Sequence, residues 1–265
     1  MTNTAAALAA PTDASCLDIE TDGDIALLTI RRHAKRNAIN DAVLGRLAAF
    51  FSQPPKAVKV AILCGEGGNF SSGLDLGEQS LREPGEVLHH SRGWHRVMEA
   101  IQFGGLPVVS VLTGAVIGGG LEIAAATHVR VAEPSVRYQL PEGKRGIFVG
   151  GGATVRVGRI IGADRLTEMM LTGRSYDAED GQRLGLSHYL AAEGQGLVKA
   201  RELAREIAGN AALVNYLIIQ SIARIDDMSR SDGLYAESLS AALSQSTPQA
   251  REGIAAFLER RKPAF

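Results

Sequence analysis

An α/β fold with mostly parallel strands is predicted by three features of the sequence. Short apolar runs alternate with helical patterns up to about Thr172. Beyond it, only helical patterns remain. The 30 glycines are clustered rather than scattered, and such clusters mark sharp turns or close approach of backbone to a ligand.

The elements follow in order. Residues 1–14 (MTNTAAALAAPTDA) are small and polar, without a basic leader or a long apolar run. They are expected to form a flexible tail and not a signal peptide. Residues 25–31 (IALLTIR) predict a buried strand. Asn40 or Asp41 is placed to cap a helix running to about Phe51. Residues 58–63 (VKVAIL) predict a second strand, and 87–103 an amphipathic helix. Residues 108–112 give a third strand and 129–132 a fourth, with a helix over 121–127 that begins inside a glycine cluster. Residues 135–139 are β-like. After Thr172, helices are expected at 194–208, 212–222, 231–243 and 248–259. The resulting division is a tail (1–14), an α/β core (15–200) and a C-terminal helical region (201–265).

Composition narrows the function. The chain has 265 residues, 45% hydrophobic and 22% charged, enough apolar material for a packed core. Its 28 basic and 29 acidic residues leave a net charge of −1, which argues against a nucleic-acid or membrane-surface partner. No apolar stretch approaches the roughly 20 residues that span a bilayer. Cys16 and Cys64 lack CxxC spacing, so a reducing, cytoplasmic setting is simpler than a disulfide.

Three segments carry chemistry. Gly118-Gly119-Gly120-Leu121-Glu122 follows a strand and opens a helix. It presents backbone N–H groups toward an anion, or it is simply a tight, close-packed turn. No GxGxxG or GxxxxGK[ST] pattern accompanies it, which disfavours a dinucleotide or phosphate loop. Glu122 is a base or a mere helix-dipole partner. Glu142, after Pro141, is a second catalytic carboxylate or a solvated loop residue. The segment Phe70-Ser71-Ser72-Gly73-Leu74-Asp75-Leu76 follows the second strand and adds another N–H near Leu74. Two N–H donors with two carboxylates are what an oxyanion hole and an acid–base pair require. His89, His90 and His95 form no HExxH pattern, so no zinc site is expected, and no GxSxG elbow marks a serine hydrolase.

Those segments, in that order, resemble the crotonase superfamily, the enoyl-CoA hydratase/isomerase family. The similarity runs from about Leu17 to Phe265, ending on the closing helix of residues 250–265. The resemblance implies a crotonase-like spiral of ββα units with a C-terminal helical region used for trimerisation. It implies an acyl-CoA thioester substrate with no separate cofactor and no metal. The reaction implied is hydration of a trans-2-enoyl-CoA to a 3-hydroxyacyl-CoA. The assembly implied is a homotrimer or a dimer of trimers. Glu122 and Glu142 would be the catalytic carboxylates, and the N–H groups of Leu74 and Gly119 the oxyanion hole. Lys35, Arg36, Ala38, Ser72, Asp75 and Leu76 would border the CoA moiety. Arg31, Arg32, Lys35 and Arg36 form a basic cluster in an otherwise neutral chain. Trp94 and Phe148 are assigned to the acyl pocket. Departures from the family pattern gather near Glu142, with Gly143, Arg145, Phe148, Val149, Ala153 and Val155 replacing its usual residues. Two alternatives stand beside hydration. One is isomerase, hydrolase or lyase activity on another acyl-CoA. The other is a non-catalytic binding protein on the same fold, which the neutral charge and the two glutamates disfavour.

Overall fold

The computed structural model describes residues 14–79 and 82–265. All of the expected tail except Ala14 lies outside them.

The larger sheet has six strands in the order β1-β2-β3-β4-β6-β9, and a second sheet has three, β5-β7-β8. β1 (Leu17–Asp22) and β2 (Ile25–Ile30) form an antiparallel hairpin. α1 (Asp41–Ser52) follows, its first turn capped by the Asn40 side chain accepting from the Val43 N–H at 3.1 Å. β3 (Val60–Gly65) lies parallel to β2. The short α2 (Leu76–Gln79) and the long α3 (Pro84–Phe103) come next. Then come β4 (Val108–Leu112), β5 (Ala115–Ile117) and α4 (Gly119–Ala126). β6 (Val129–Ala132) and β7 (Arg137–Gln139) lead to α5 (Ala153–Ile161) and α6 (Ala163–Thr172).

This order produces a spiral. β4 and β6 sit in the larger sheet, and the strands that directly follow them, β5 and β7, sit in the smaller one. The parallel bridges Ile39–Leu74 and Ser71–Val116 continue the smaller sheet back to the segments after β2 and β3. Each turn is therefore strand, strand, helix. Parallel pairing requires such crossovers, because the chain must return before it can pair again.

Two layers of core follow from strand alternation. On β3, Ala61 and Leu63 face the main core, with Leu28, Leu112 and Leu121. Val60, Ile62 and Cys64 face the opposite side, where Val109, Val111 and Val131 also lie. That second side is covered by α8 (Gly196–Ala208), through Ala200, Leu203 and Ala204. A strand buried on both faces reads as an unbroken apolar run, as residues 60–64 (VAILC) do.

Three differences from expectation concern short elements. β8 (Ser175–Tyr176) and β9 (Tyr189–Leu190) extend the sheets beyond Thr172, with α7 (Ala178–Arg183) between them. Two-residue strands are too brief for periodicity to register. α8 runs across residue 200 and packs on the larger sheet. Beyond it, α9 (Ala212–Ile225), α10 (Arg230–Gln245) and α11 (Pro248–Leu258) pack in succession. Cys16 and Cys64 are buried free thiols.

Candidate active site

The loop after β3 places the first N–H. In the Ile39–Leu74 bridge, the Ile39 N–H donates to Gly73 O at 2.7 Å and the Asp75 N–H to Ile39 O at 2.8 Å. These bonds use the amides flanking Leu74. Among the described residues, the Leu74 N–H itself donates to no protein acceptor. Gly73 has φ +91°, and a Cβ there would stand 2.6 Å from Ile117 O and 3.1 Å from Gly119 N. Only glycine lets this loop rest on the start of α4.

α4 supplies the second N–H. Gly118 caps the helix with φ +54°, and Gly119 is its first residue, whose N–H has no intrahelical acceptor. A methyl on Gly119 would lie 3.3 Å from Leu74 N and 2.6 Å from Cη2 of Trp94. The Leu74 and Gly119 amides are therefore neighbours, at the positive end of a helix. The triplet is both readings at once: a close-packed turn and the source of one of the two donors.

The two glutamates converge on this point. Every residue of α4 is buried, so the helix carries Glu122 into the interior, where it is only 4% exposed. One oxygen of Glu122, Oε1, accepts from the Gly151 N–H at 2.8 Å and the Ala153 N–H at 3.0 Å. Burial raises its pKa to about 7, against those two donors, and Glu142 pushes the same way. Glu142 enters from the turn after β7, and its Oε1 lies 2.5 Å from where a Cβ on Gly118 would sit. Its carboxyl is raised by burial, and its buried Oε2 has no protein partner among the described residues. Two carboxyls thus flank two convergent N–H donors. The arrangement suits proton transfer beside a carbonyl oxygen that gains negative charge.

The basic loop is more neutralised than its composition implies. Arg32 and Lys35 each reach Asp75 at 2.9 Å, and Arg31 faces Asp18 at 3.6 Å and Glu66 at 3.4 Å. Asp75, pulled below the usual carboxylate range chiefly by Lys35, is thus an internal clamp. Ser72 belongs to the same clamp, its N–H donating to Arg36 O at 2.9 Å and its Oγ to Lys35 O at 3.1 Å. Ala38 is buried, and its carbonyl accepts from Arg32. Arg36 is exposed at φ +48°, and Leu76 is 40% exposed at the start of α2.

The acyl-pocket residues divide. Trp94 is buried against Gly119 and Gly151, beside both the N–H pair and Glu122. Phe148 is 71% exposed on the loop leaving Gly146 and is not enclosed by its own chain. A cleft of about 1680 Å³ opens elsewhere, between α3, α5 and α9, and neither glutamate lines it. His90 pairs with Asp41 at 2.9 Å.

Sequence reasoning passed over three contributors. The Gly151 and Ala153 amides hold Glu122, and the glycine cluster at 150–152 was their only signal. Arg156 lies buried behind them. Asn37, fully buried at φ +57°, ties two loops together by donating to Glu66 O at 2.8 Å and Asn69 O at 2.6 Å.

Known proteins resemble this chain over nearly its whole length. A solved structure from Rhodopseudomonas palustris, provisionally assigned as an enoyl-CoA hydratase, superposes with a TM-score of 0.91 at 45% identity, covering 94% of this chain and 96% of that one. An enoyl-CoA hydratase of Mycobacterium tuberculosis is 29% identical over 93% of this chain and 95% of its own length. The 2,3-dehydroadipyl-CoA hydratase of Escherichia coli is 30% identical over 91% and 94%. The family model described as enoyl-CoA hydratase/isomerase matches residues 20–265, and the chain belongs to that family.

Proposed function

We propose that this protein hydrates a trans-2-enoyl-CoA to the 3-hydroxyacyl-CoA, using no separate cofactor. The observation that carries this reading is the pair of buried glutamates, Glu122 and Glu142, at the adjacent N–H groups of Leu74 and Gly119. The thioester oxygen accepts from both N–H groups, which stabilise the enolate formed as water adds. Removing one such donor in comparable sites costs about 3 kcal/mol. Glu122 takes a proton from the water, whose oxygen bonds to C3. Glu142 delivers a proton to C2, and the proton taken by Glu122 then returns to Glu142, so one water is consumed across the double bond and both carboxyls are restored. Two retained carboxyls favour hydration over isomerisation, which needs only one to shuttle a proton.

The CoA moiety is assigned to the loop carrying Lys35, Arg36 and Ala38, against Ser72, Asp75 and Leu76. Trp94 is assigned to the acyl pocket. The assembly proposed is a homotrimer or a dimer of trimers formed through residues 201–265. Ile218, Ile222, Leu239, Leu243 and Phe257 support this, since they leave an exposed apolar face on α9, α10 and α11. Sedimentation as a monomer would contradict the assembly. No helix among the described residues is long and apolar enough to cross a membrane, and we place the protein in the cytoplasm.

The test is loss of the conjugated enoyl-thioester absorbance with a panel of trans-2-enoyl-CoAs, from crotonyl to long-chain and aromatic. Wild type should consume at least one of them. E122Q and E142Q should each lose about 10²- to 10⁴-fold in kcat. Full activity in either variant, or none in wild type on any member, refutes the hydratase reading.

A further inference from the structure

We infer that Arg156 is a positioning residue for Glu122: its buried guanidinium, pinned from α3 behind the 151–153 loop, holds the loop's two N–H groups against that carboxyl. The inference rests on Glu122 being the base of the proposed reaction.

The geometry is specific. Arg156 is 9% exposed. Its Nε donates to Gln102 Oε1 at 2.7 Å and its Nη2 to Glu99 Oε1 at 2.6 Å. Glu99 and Gln102 are three residues apart on α3, hence on one face of it. Nη1 lies 2.5 Å from where a Cβ on Gly152 would sit, and Gly152 has φ +108°. The guanidinium therefore presses directly against the residue between the two amides that hold Glu122. Trp94, also on α3, packs on the same loop at Gly151, where an added Cβ would meet its ring at 2.9 Å and Glu122 Oε2 at 2.6 Å. Ser91 of α3 also donates its Oγ–H to Gly150 O at 2.6 Å, so α3 grips this loop at three points, one apolar, one polar and one charged.

The charges around Glu122 fit that role. Burial and the like charge of Glu142 oppose its ionisation, whereas the Ala153 and Gly151 N–H groups and, more weakly, the Arg156 charge from α5 favour it. Arg156 in turn faces Glu99 from α3 and Arg159 one turn along α5. A base must be ionised to accept a proton. The ion pair with Glu99 does not by itself account for burying an arginine here. The Glu99 side chain is 58% exposed, and pairs of that kind contribute little to stability.

The test compares wild type, R156Q and R156K, with Glu carboxyls labelled with ¹³C and the Glu122 resonance assigned from E122Q. The titration midpoint of Glu122 should rise in R156Q, through the loosened hold of the two N–H groups and the loss of a favourable charge. It should stay close to wild type in R156K, which keeps the charge. In hydration assays, the acid limb of the kcat/KM profile should move up by the same amount, and activity should recover at high pH. An unchanged midpoint in R156Q overturns the inference. So does an equal displacement in R156Q and R156K, or a uniform loss of kcat/KM with the limb in place. Should R156Q not fold, E99Q/R156Q removes both charges together and carries the same readings. The carboxyl titration needs no turnover, so it stands even if the hydratase reading fails.

Discussion

Replacing Glu122 by glutamine should make the protein more stable and nearly inactive, and the gain should depend on pH. Burial lifts this carboxyl from 4.5 to about 7. At about 1.4 kcal/mol per pH unit, holding it ionised in the fold costs about 3 kcal/mol. The folded value lies above the unfolded one. The favourable contribution of the protonated group is therefore complete below about pH 4.5 and is lost as pH rises through 7. Glutamine never ionises, so it escapes that loss. It also fits the site, because both backbone donors reach the same oxygen, Oε1, which a side-chain amide carbonyl can replace. Thermal unfolding followed by circular dichroism should show wild type and E122Q alike near pH 4.5. They should diverge as pH rises, with E122Q ahead by up to about 3 kcal/mol at pH 8. For a chain of this size that is about 6 to 10 °C in Tm. A Tm difference that is the same at every pH, or greatest in acid, would refute the reasoning.

Other perturbations address separate parts of the argument. G119A puts a methyl 2.6 Å from Trp94 and beside the Leu74 N–H, so kcat on an enoyl-CoA should fall about 10²- to 10³-fold with a stability loss of about 1–3 kcal/mol. D75N removes the carboxylate that clamps Arg32 and Lys35. It should lower the urea midpoint at pH 7 by the equivalent of about 1–2 kcal/mol, discounted because Lys35 is exposed. The deficit should vanish as Asp75 itself is protonated in acid, since its pKa is depressed and its contribution is lost as pH falls. His128 accepts from the Val108 N–H at 3.0 Å and donates to Gln102 O at 2.9 Å, and burial pushes it down to about 4. Its neutral form contributes stability above about pH 6.5 that is lost as pH falls toward 4. Wild type should therefore lose ground to H128Q between those values in urea titrations.

Strands buried on both faces were legible because their apolar runs are broken by no more than one polar residue each, Ser110 and Arg130, and residues 108–112 and 129–132 match β4 and β6 to the residue. β1 was missed. Its sequence, LDIETD, runs along the edge of the sheet with acids turned to solvent, so it has the pattern of a loop. α5 and α6 were missed as well, α5 following directly on the glycines at 150–152. Glu122 and Glu142 could be found because each sits in a local pattern of turn and helix start. The partners of Glu122 could not, because Gly151 and Ala153 approach it across about thirty residues of chain through the fold alone. Arg156 lies on the missed α5, and its role depends on Glu99 and Gln102 of α3, more than fifty residues earlier in the chain. The pairing of the Asp75 carboxylate with Arg32 and Lys35 was equally hidden, since some forty residues of chain separate the partners.

The stitching between residues 32–38 and 66–75 has a mechanical consequence. Asn37, Ser72, Asp75 and the Ile39–Leu74 bridge join the two loops at both backbone and side chain. Neither can shift without dragging the other. Whatever grips the outer loop therefore fixes the Leu74 N–H as well, so that contacts made far from the reacting carbonyl tighten the aim of the donor that faces it. Binding energy from a distant part of a long substrate becomes accuracy at the bond that changes.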